Sequence, residues 1–324
     1  MTIAFAGSDK QVEPLGVGTW AWGDKSTWGY DSYDSSLTEQ TIAEAWEASI
    51  DAGCTLFDTA EVYGSGESER IIGRLLAKDP GRRSQVALAT KFMPAPYKLN
   101  VVSAMRAALE KSVERLGVEK VDLYQIHGPI SLRSKGALAE ALAGVVQAGL
   151  TDAVGVSNYS IKEMRSIHAE LAKRDVPLAS NQVEYSLLRR QPGTGGLLDA
   201  CNQLGVVILS YSPIGQGRLT GKYSASNPPP GRRSFAAHPM EKVDVVVAEL
   251  RRIGEAHERT PSQVALRWLI DKGTVPIPGA KNAKQAADNA GALGWSLSPD
   301  ELAALDQAAL DGPSTLQSRF WQHG

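Results

Sequence analysis

Short apolar runs alternate with amphipathic stretches of helical spacing through most of this chain, and no other feature restricts its fold as much. Cys54-Thr55-Leu56-Phe57 runs into Asp58, Val86-Ala87-Leu88-Ala89-Thr90 into Lys91, and Val121-Asp122-Leu123-Tyr124-Gln125-Ile126 into His127. Gly16 to Trp20, Ala153 to Val156, Leu178 to Val183, Val206 to Leu209 and Thr274 to Ile277 are further strand candidates. Mostly apolar strands of this kind fit a sheet covered on both faces. From about Thr38, the residues Ile42, Ala45, Trp46, Ser49 and Ile50 fall on one helical face, with Thr38 as N-cap and Glu39 as first-turn acid. After Lys91, the residues Val102, Met105, Leu109, Val113 and Leu116 recur at helical spacing, and Gly117 is placed to end that helix in a left-handed cap. Alternation of strand and helix requires right-handed crossovers and a parallel sheet. Eight such units within 324 residues favour closure into a (β/α)8 TIM barrel over an open doubly wound sheet, with residues 1–324 as a single domain.

Composition excludes several classes of partner. A formal net charge of −2 with no basic block gives nothing to attract nucleic acid or an anionic membrane. No apolar run approaches the roughly 18 residues that span a bilayer. The stretch Met1 to Asp9 is too short and uncharged for a signal peptide, and the two cysteines, Cys54 and Cys201, lie in or beside apolar segments. A cytoplasmic protein with buried thiols is the expectation.

The alternation breaks at Asp24 to Leu37, at Lys222 to Pro239 and from Gly312 onward, which reads as three long loops at one face of the barrel. Gly16-Val17-Gly18-Thr19-Trp20-Ala21 fits the G-x-G-x-x-A pattern of dinucleotide-binding folds. That motif needs a helix opening at its last small residue to hold pyrophosphate, and here Trp22-Gly23-Asp24 leads into an irregular loop instead. Better anion sites come later. Ser210-Tyr211-Ser212-Pro213-Ile214-Gly215-Gln216-Gly217 follows a strand, with Lys222 beyond it. Ile277-Pro278-Gly279-Ala280-Lys281-Asn282 leaves the last strand for a helix carrying Gln285, Asp288 and Asn289. Barrels of this type often hold phosphate near the loops after the last two strands, where glycine backbone and a helix N-terminus offer N–H groups.

Catalytic groups in such barrels stand at the C-terminal strand ends, because loops there can vary over a rigid core. Asp58, Lys91 and His127 close three strand candidates, and Tyr63 follows Asp58 by five positions. Alone, Asp58 or Lys91 is an ordinary cap or solvated residue, and His127 an ordinary interior histidine. Together they form a proton-donor constellation. With Phe57-Asp58-Thr59-Ala60-Glu61-Val62-Tyr63-Gly64, Ala89-Thr90-Lys91, Asp122-Leu123-Tyr124-Gln125-Ile126-His127, Gly155-Val156-Ser157-Asn158 and Ile277-Pro278-Gly279, the chain resembles the aldo-keto reductases over nearly its whole length. Its C-terminal half is most similar to bacterial and plant members, and more distantly to the potassium-channel β-subunits.

The resemblance implies a (β/α)8 barrel that binds NADPH/NADP+ across its C-terminal rim and reduces aldehydes or ketones to alcohols. It implies that Tyr63 protonates the carbonyl oxygen, that Lys91 lowers the pKa of a phenol otherwise near 10, and that Asp58 keeps Lys91 charged and oriented. It gives His127 a hydrogen bond to the substrate oxygen. Ser157, Asn158 and Gln182 are expected to grip the nicotinamide carboxamide and Tyr211 to stack under the ring. Ser212, Pro213, Ile214, Gln216, Gly217 and Leu219 are expected to follow the pyrophosphate. Gly279, Lys281, Gln285 and Asn289 are expected around the adenosine and its 2′-phosphate, with Lys222 and Arg232 closing from the loop. Gly18, Thr19, Trp20 and Asp58 complete the expected cofactor contacts. No metal is required.

The expected substrate pocket is aromatic, lined by Trp20, Trp22 and Phe92 beside Tyr63 and His127, with Trp28, Tyr30 or Trp321 from the loops. It suits a small or medium carbonyl compound of apolar or ring character, acted on by a monomer or weak homo-oligomer. A competing reading is an NADPH-binding, redox-sensing regulatory subunit like the channel β-subunits, which an intact tetrad fits equally. An aldolase or isomerase using Lys91 as a Schiff base leaves Ser157, Asn158, Gln182 and Tyr211 unexplained. His168, His238, His257 and His323 have no assigned role.

Overall fold

A computed structural model describes residues 2–23, 37–229, 238–312 and 316–324, with side chains in the last segment from 319 onward. Its strands in chain order are β1 (Ile3–Ala4), β2 (Gln11–Val12), β3 (Gly16–Gly18), β4 (Leu56–Asp58), β5 (Ala87–Phe92), β6 (Val121–Ile126), β7 (Thr151–Ser157), β8 (Leu178–Glu184), β9 (Val207–Tyr211) and β10 (Val275–Pro276). Strands β3 to β10 form one 8-stranded parallel sheet in strict sequence order. A parallel bridge between Gly18 and Gly279, with Gly18 N–H donating to Pro278 O at 2.9 Å, joins its two edges. The result is the expected (β/α)8 barrel. The antiparallel hairpin β1–β2 is an addition to the expected elements, too short to carry a sequence pattern.

Period-two alternation divides the apolar residues into two clusters. Leu56, Ala87, Ala89, Leu123, Ala153, Leu209 and Val275 fill the barrel interior together with Phe5 and Val12 of the hairpin region. Phe57, Leu88, Phe92, Tyr124, Ile126, Val154 and Val156 face outward and pack beneath the helices. The next inward positions toward the C-terminal ends are polar and buried: Asp58, Lys91, Gln125 and Gln182. Gly155 makes room at that level, since a β-carbon there would lie 2.1 Å from Ser180 Oγ and 3.1 Å from Gln125 Cγ.

The helices follow their sequence signals closely. Glu39–Asp51 starts at a Thr38 capping box closed by Thr41, and buries Ile42, Ala45, Trp46, Ser49 and Ile50 as expected. Val101–Leu116 is capped by the Asn100 side chain and ends at Gly117, whose φ of 64° is the left-handed cap. Its buried face is shifted by one residue at the start: Val101 is inside and Val102 is exposed, because Asn100 sets the first turn. Cys54 and Cys201 are both buried free thiols, as expected. Among the described residues no helix is long and apolar enough to cross a membrane.

Candidate active site

Four chain segments converge at the C-terminal end of the barrel. Asp58 is the last residue of β4, Lys91 is the penultimate residue of β5, and His127 directly follows β6. Tyr63 lies in the turn between β4 and the helix Glu67–Lys78. That turn is held on every side. Thr59 Oγ1 donates to Ser68 Oγ at 2.9 Å, Ser68 Oγ to Thr19 O at 3.0 Å, and Thr19 Oγ1 to Asp58 O at 3.0 Å. Glu61 accepts Met93 N–H at 2.7 Å, and the fully buried Glu69 accepts Thr90 Oγ1 and Arg115 Nε, both at 2.6 Å. Pinned at so many points, the Tyr63 phenol has a fixed relation to Lys91.

The Lys91 ammonium is completely buried and uses three acceptors, one for each N–H. It donates to Asp58 Oδ2 at 2.5 Å, to Thr59 O at 2.8 Å and to the Tyr63 hydroxyl at 3.2 Å. Burial works to lower its pKa, but the charge of Asp58 and the contacts with Asp58 and Tyr63 outweigh this and raise it, so Lys91 stays charged. The other carboxylate oxygen, Asp58 Oδ1, accepts from Gln182 Nε2 at 2.8 Å and Gln125 Nε2 at 3.3 Å. Ser180 Oγ donates to Gln125 Oε1 at 3.1 Å and so orients that amide. Gln125 and Ser180 were not among the expected site residues. The parity of Leu123, Gln125 and His127 along one strand could have found the first.

His127 meets the Tyr63 ring edge-on at a centroid distance of 5.6 Å, and its buried Nδ1 has no partner among the described residues. Burial, reinforced by the positive charge of Lys91, holds its pKa well below the ordinary value. The imidazole is therefore neutral near pH 7 and keeps one N–H to donate. The pH dependence of stability follows. Below about pH 6.5 an unfolded His127 takes up a proton that the folded site refuses, so folding stability falls as pH drops through that value. His127→Gln removes this term. In urea unfolding between pH 7 and 5, the variant should gain on the unsubstituted protein by up to about 1.4 kcal/mol per pH unit. Parallel pH profiles for the two proteins would contradict a neutral buried imidazole.

Two residues expected to line the substrate pocket are elsewhere. Phe92 follows Lys91 by one position and so faces the opposite side of β5, fully buried under the helices with Lys98 Nζ 4.1 Å above its ring. Trp22 is also buried, packed near Phe57, with its indole N–H donating to Ala280 O at 2.7 Å. Trp20 is half-buried at the start of a single helical turn, Trp20–Gly23. Trp321, from the helix Leu316–Trp321, reaches the rim and meets the His127 ring at 5.8 Å. Trp28, Tyr30 and Arg232 lie outside the described residues.

The residues expected to contact a dinucleotide run from Gly18, Thr19, Trp20 and Asp58 through β7 to the helix Ala283–Ala290 after the last strand, and of these Thr19 is fully buried with its hydroxyl on Asp58 O. Ser157 Oγ donates to Gln182 O at 2.8 Å, and Asn158, at a φ of 60°, accepts the Tyr211 hydroxyl at 3.1 Å. Beyond Tyr211 the backbone of Ser212, Gly215, Gln216 and Gly217 takes positive φ values of 50°, 56°, 52° and 90°. Successive left-handed residues turn N–H groups into concavities suited to anions. Gln216 Oε1 is buried there without a partner among the described residues. Pro213 is buried beside this turn and Ile214 packs against the apolar core. The Leu219 side chain is fully buried in that core, so it turns away from any ligand. Lys222 is exposed, its ammonium 5.5 Å above the Tyr223 ring. After β10, Gly279 is exposed, Lys281 N–H donates to Gln285 Oε1 at 3.0 Å, and Asn289 Nδ2 donates to Gly279 O at 3.2 Å.

A model of the aldo/keto reductase family matches residues 14–310, a span that holds the whole barrel and all four tetrad positions. The chain belongs to the aldo/keto reductase family. It is 39% identical, over 96% of its length and 87% of the relative's, to the chloroplastic pyridoxal reductase of Arabidopsis thaliana. Among solved structures it is similar to a glycerol dehydrogenase of Gluconobacter oxydans, with 27% identity, a TM-score of 0.80, and coverage of 100% of this chain and 97% of that one. It is also similar to a Klebsiella pneumoniae aldo-keto reductase in complex with NADPH, with 27% identity, a TM-score of 0.75 and 96% of each chain covered.

Proposed function

We propose that this aldo/keto reductase is an NADPH-dependent oxidoreductase that reduces aldehydes and ketones to alcohols, with Tyr63 as proton donor. The observation that carries the reading is the buried Lys91 ammonium bridging the Asp58 carboxylate and the Tyr63 hydroxyl. NADPH, when bound, supplies a hydride to the carbonyl carbon. The protein's own groups manage the oxygen. Tyr63 gives its proton to the carbonyl oxygen as the π-bond breaks, leaving a phenolate beside a fixed positive charge at 3.2 Å. Lys91 favours that phenolate, and Asp58, with both oxygens occupied, keeps Lys91 in place. Neutral His127 donates to the same carbonyl oxygen and holds it against Tyr63.

The residues present fit a phosphorylated dinucleotide. The left-handed turn at Ser212 to Gly217 offers backbone to a pyrophosphate, while Ser157, Asn158 and Gln182 surround the position for a carboxamide. Tyr211 supplies a ring face, and Gly18 and Trp20 edge the site, while the fully buried Thr19 turns its hydroxyl to Asp58 O. Lys281, before the helix Ala283–Ala290 whose N-cap is Asn282, suits a 2′-phosphate. Lys281→Ala should weaken NADPH by roughly tenfold or more while leaving NADH nearly unchanged, as the loss of a charged contact predicts. Equal losses for the two nucleotides in binding titrations would remove Lys281 from that role.

For the substrate, Trp20, Trp321, Tyr63 and His127 suggest a carbonyl compound of apolar or ring character. The Arabidopsis relative is named for pyridoxal, an aldehyde on an aromatic ring, which makes pyridoxal the first compound to test. We read residues 1–324 as one catalytic domain, working as a monomer or weak homo-oligomer. The two buried thiols favour a reducing compartment, in our reading the cytoplasm. The deciding assay follows loss of the reduced nicotinamide absorbance with pyridoxal and a panel of aldehydes and ketones. Carbonyl-dependent oxidation is the expected result. Tight NADPH binding without turnover of any carbonyl would favour the regulatory reading.

A further inference from the structure

Residues 321–324 form a hook that closes onto the rim. The Trp321 indole lies so close above Gly128 that a β-carbon there would fall 2.7 Å from it. The carbonyls of Gln322 and Gly324 each accept from Arg189 at 3.4 Å, and His323 Nδ1 lies 3.0 Å from Glu163. Arg189 and Glu184 are themselves buried and 3.7 Å apart. At the centre of the hook, Gln322 Nε2 donates to the Glu184 carboxylate and, at 3.3 Å, to the Tyr211 hydroxyl. That hydroxyl in turn donates to Asn158 Oδ1 at 3.1 Å.

We infer that Gln322 is a positioning residue for the Tyr211 ring. Asn158 accepts from the phenol, and the Gln322 amide, which Glu184 anchors in turn, adds a second hydrogen bond that narrows the orientations open to the ring. Burial, reinforced by the charge of Glu184, keeps the Tyr211 phenol protonated, so it remains the donor toward Asn158 and the acceptor toward Gln322. The backbone of the hook is tied down separately by Arg189, and the substrate side is closed separately by Trp321. Gln322→Leu therefore removes the amide's bonds to Tyr211 and Glu184 together but leaves both of these ties, and Glu184 keeps Arg189 at 3.7 Å. The inference rests on the proposed reading of Tyr211 as the platform for the nicotinamide.

The test compares the full chain with Gln322→Leu, Tyr211→Phe and the double variant, using NADPH dissociation constants from fluorescence quenching and steady-state kinetics. Gln322→Leu should raise the NADPH dissociation constant by roughly fivefold, the effect of one neutral hydrogen bond to the ring, and Tyr211→Phe, which also removes the bond to Asn158, by at least as much. The double variant should be no weaker than the weaker single, because both remove the same bond. Gln322→Glu should be at least as damaging, since it sets a second carboxylate beside Glu184. Carbonyl KM should stay within about twofold in Gln322→Leu, whereas a hook that had simply come loose would carry Trp321 away and raise it. Unchanged NADPH affinity in Gln322→Leu, multiplicative losses in the double variant, or a raised carbonyl KM would each overturn the assignment alone. Failure of the unsubstituted chain to bind NADPH would overturn both this assignment and the cofactor site beneath it.

Discussion

Tyr63→Phe should leave NADPH binding unchanged and lower carbonyl reduction by roughly 10²–10⁴-fold, the range for loss of a positioned general acid. The substitution deletes one oxygen from a half-buried ring that keeps its edge-on contact with His127 and its place beside Lys91, so folding should be little affected. Lys91 would keep Asp58 and Thr59 O as acceptors, and only its 3.2 Å contact would be lost. Stopped-flow single turnovers separate the two effects, because the cofactor signal on binding precedes the chemical step. A variant that retained most of its turnover would show that another group delivers the proton.

Lys91→Met should be worse for stability than for any single contact it removes. The Asp58 carboxylate would stay buried with only Gln125 and Gln182 donating to it, one charge short of neutral. Leaving one member of a buried pair costs about 3–5 kcal/mol. The phenolate left at Tyr63 would lose its neighbouring cation as well, so turnover should fall at least as far as in Tyr63→Phe. Replacing both charges, as in Asp58→Asn with Lys91→Met, should recover much of the stability and none of the activity, because no charge is then stranded. Urea unfolding measures the first outcome and the carbonyl assay the second. If the double variant were as unstable as Lys91→Met alone, the cost would lie in packing and not in an orphaned carboxylate.

The barrel was legible in the sequence because each strand is buried on both faces and therefore reads as a continuous apolar run. Leu56 and Phe57 pack on opposite sides of β4, yet both must be apolar. Polar residues that interrupt the inward-facing parity, Asp58, Lys91 and His127, stand out for the same reason. The misplacement of Phe92 comes from ignoring that parity: one residue past Lys91, it had to face the helices. Val102 was a phase error of one residue, settled by the Asn100 cap. Trp22 was harder to place, since its partner Ala280 is 258 residues away and no local pattern reports it. The Gln322 hook belongs to the same category. Its contacts to Glu184 and Tyr211 cross more than a hundred residues, and nothing periodic around Gln322 signals them.

In the proposed reaction Asp58, Tyr63, Lys91 and His127 deliver a proton to a carbonyl oxygen while a nicotinamide delivers hydride to its carbon. NADPH carrying deuterium at the transferable position of its reduced ring, incubated with pyridoxal and with simple aromatic aldehydes, tests this most directly. One deuterium on the carbinol carbon of the alcohol is expected for each NADPH oxidised, with the rate lost in Tyr63→Phe. NADPH oxidation that proceeds without label in the product, or binding of NADPH with no alcohol formed from any carbonyl, would contradict it.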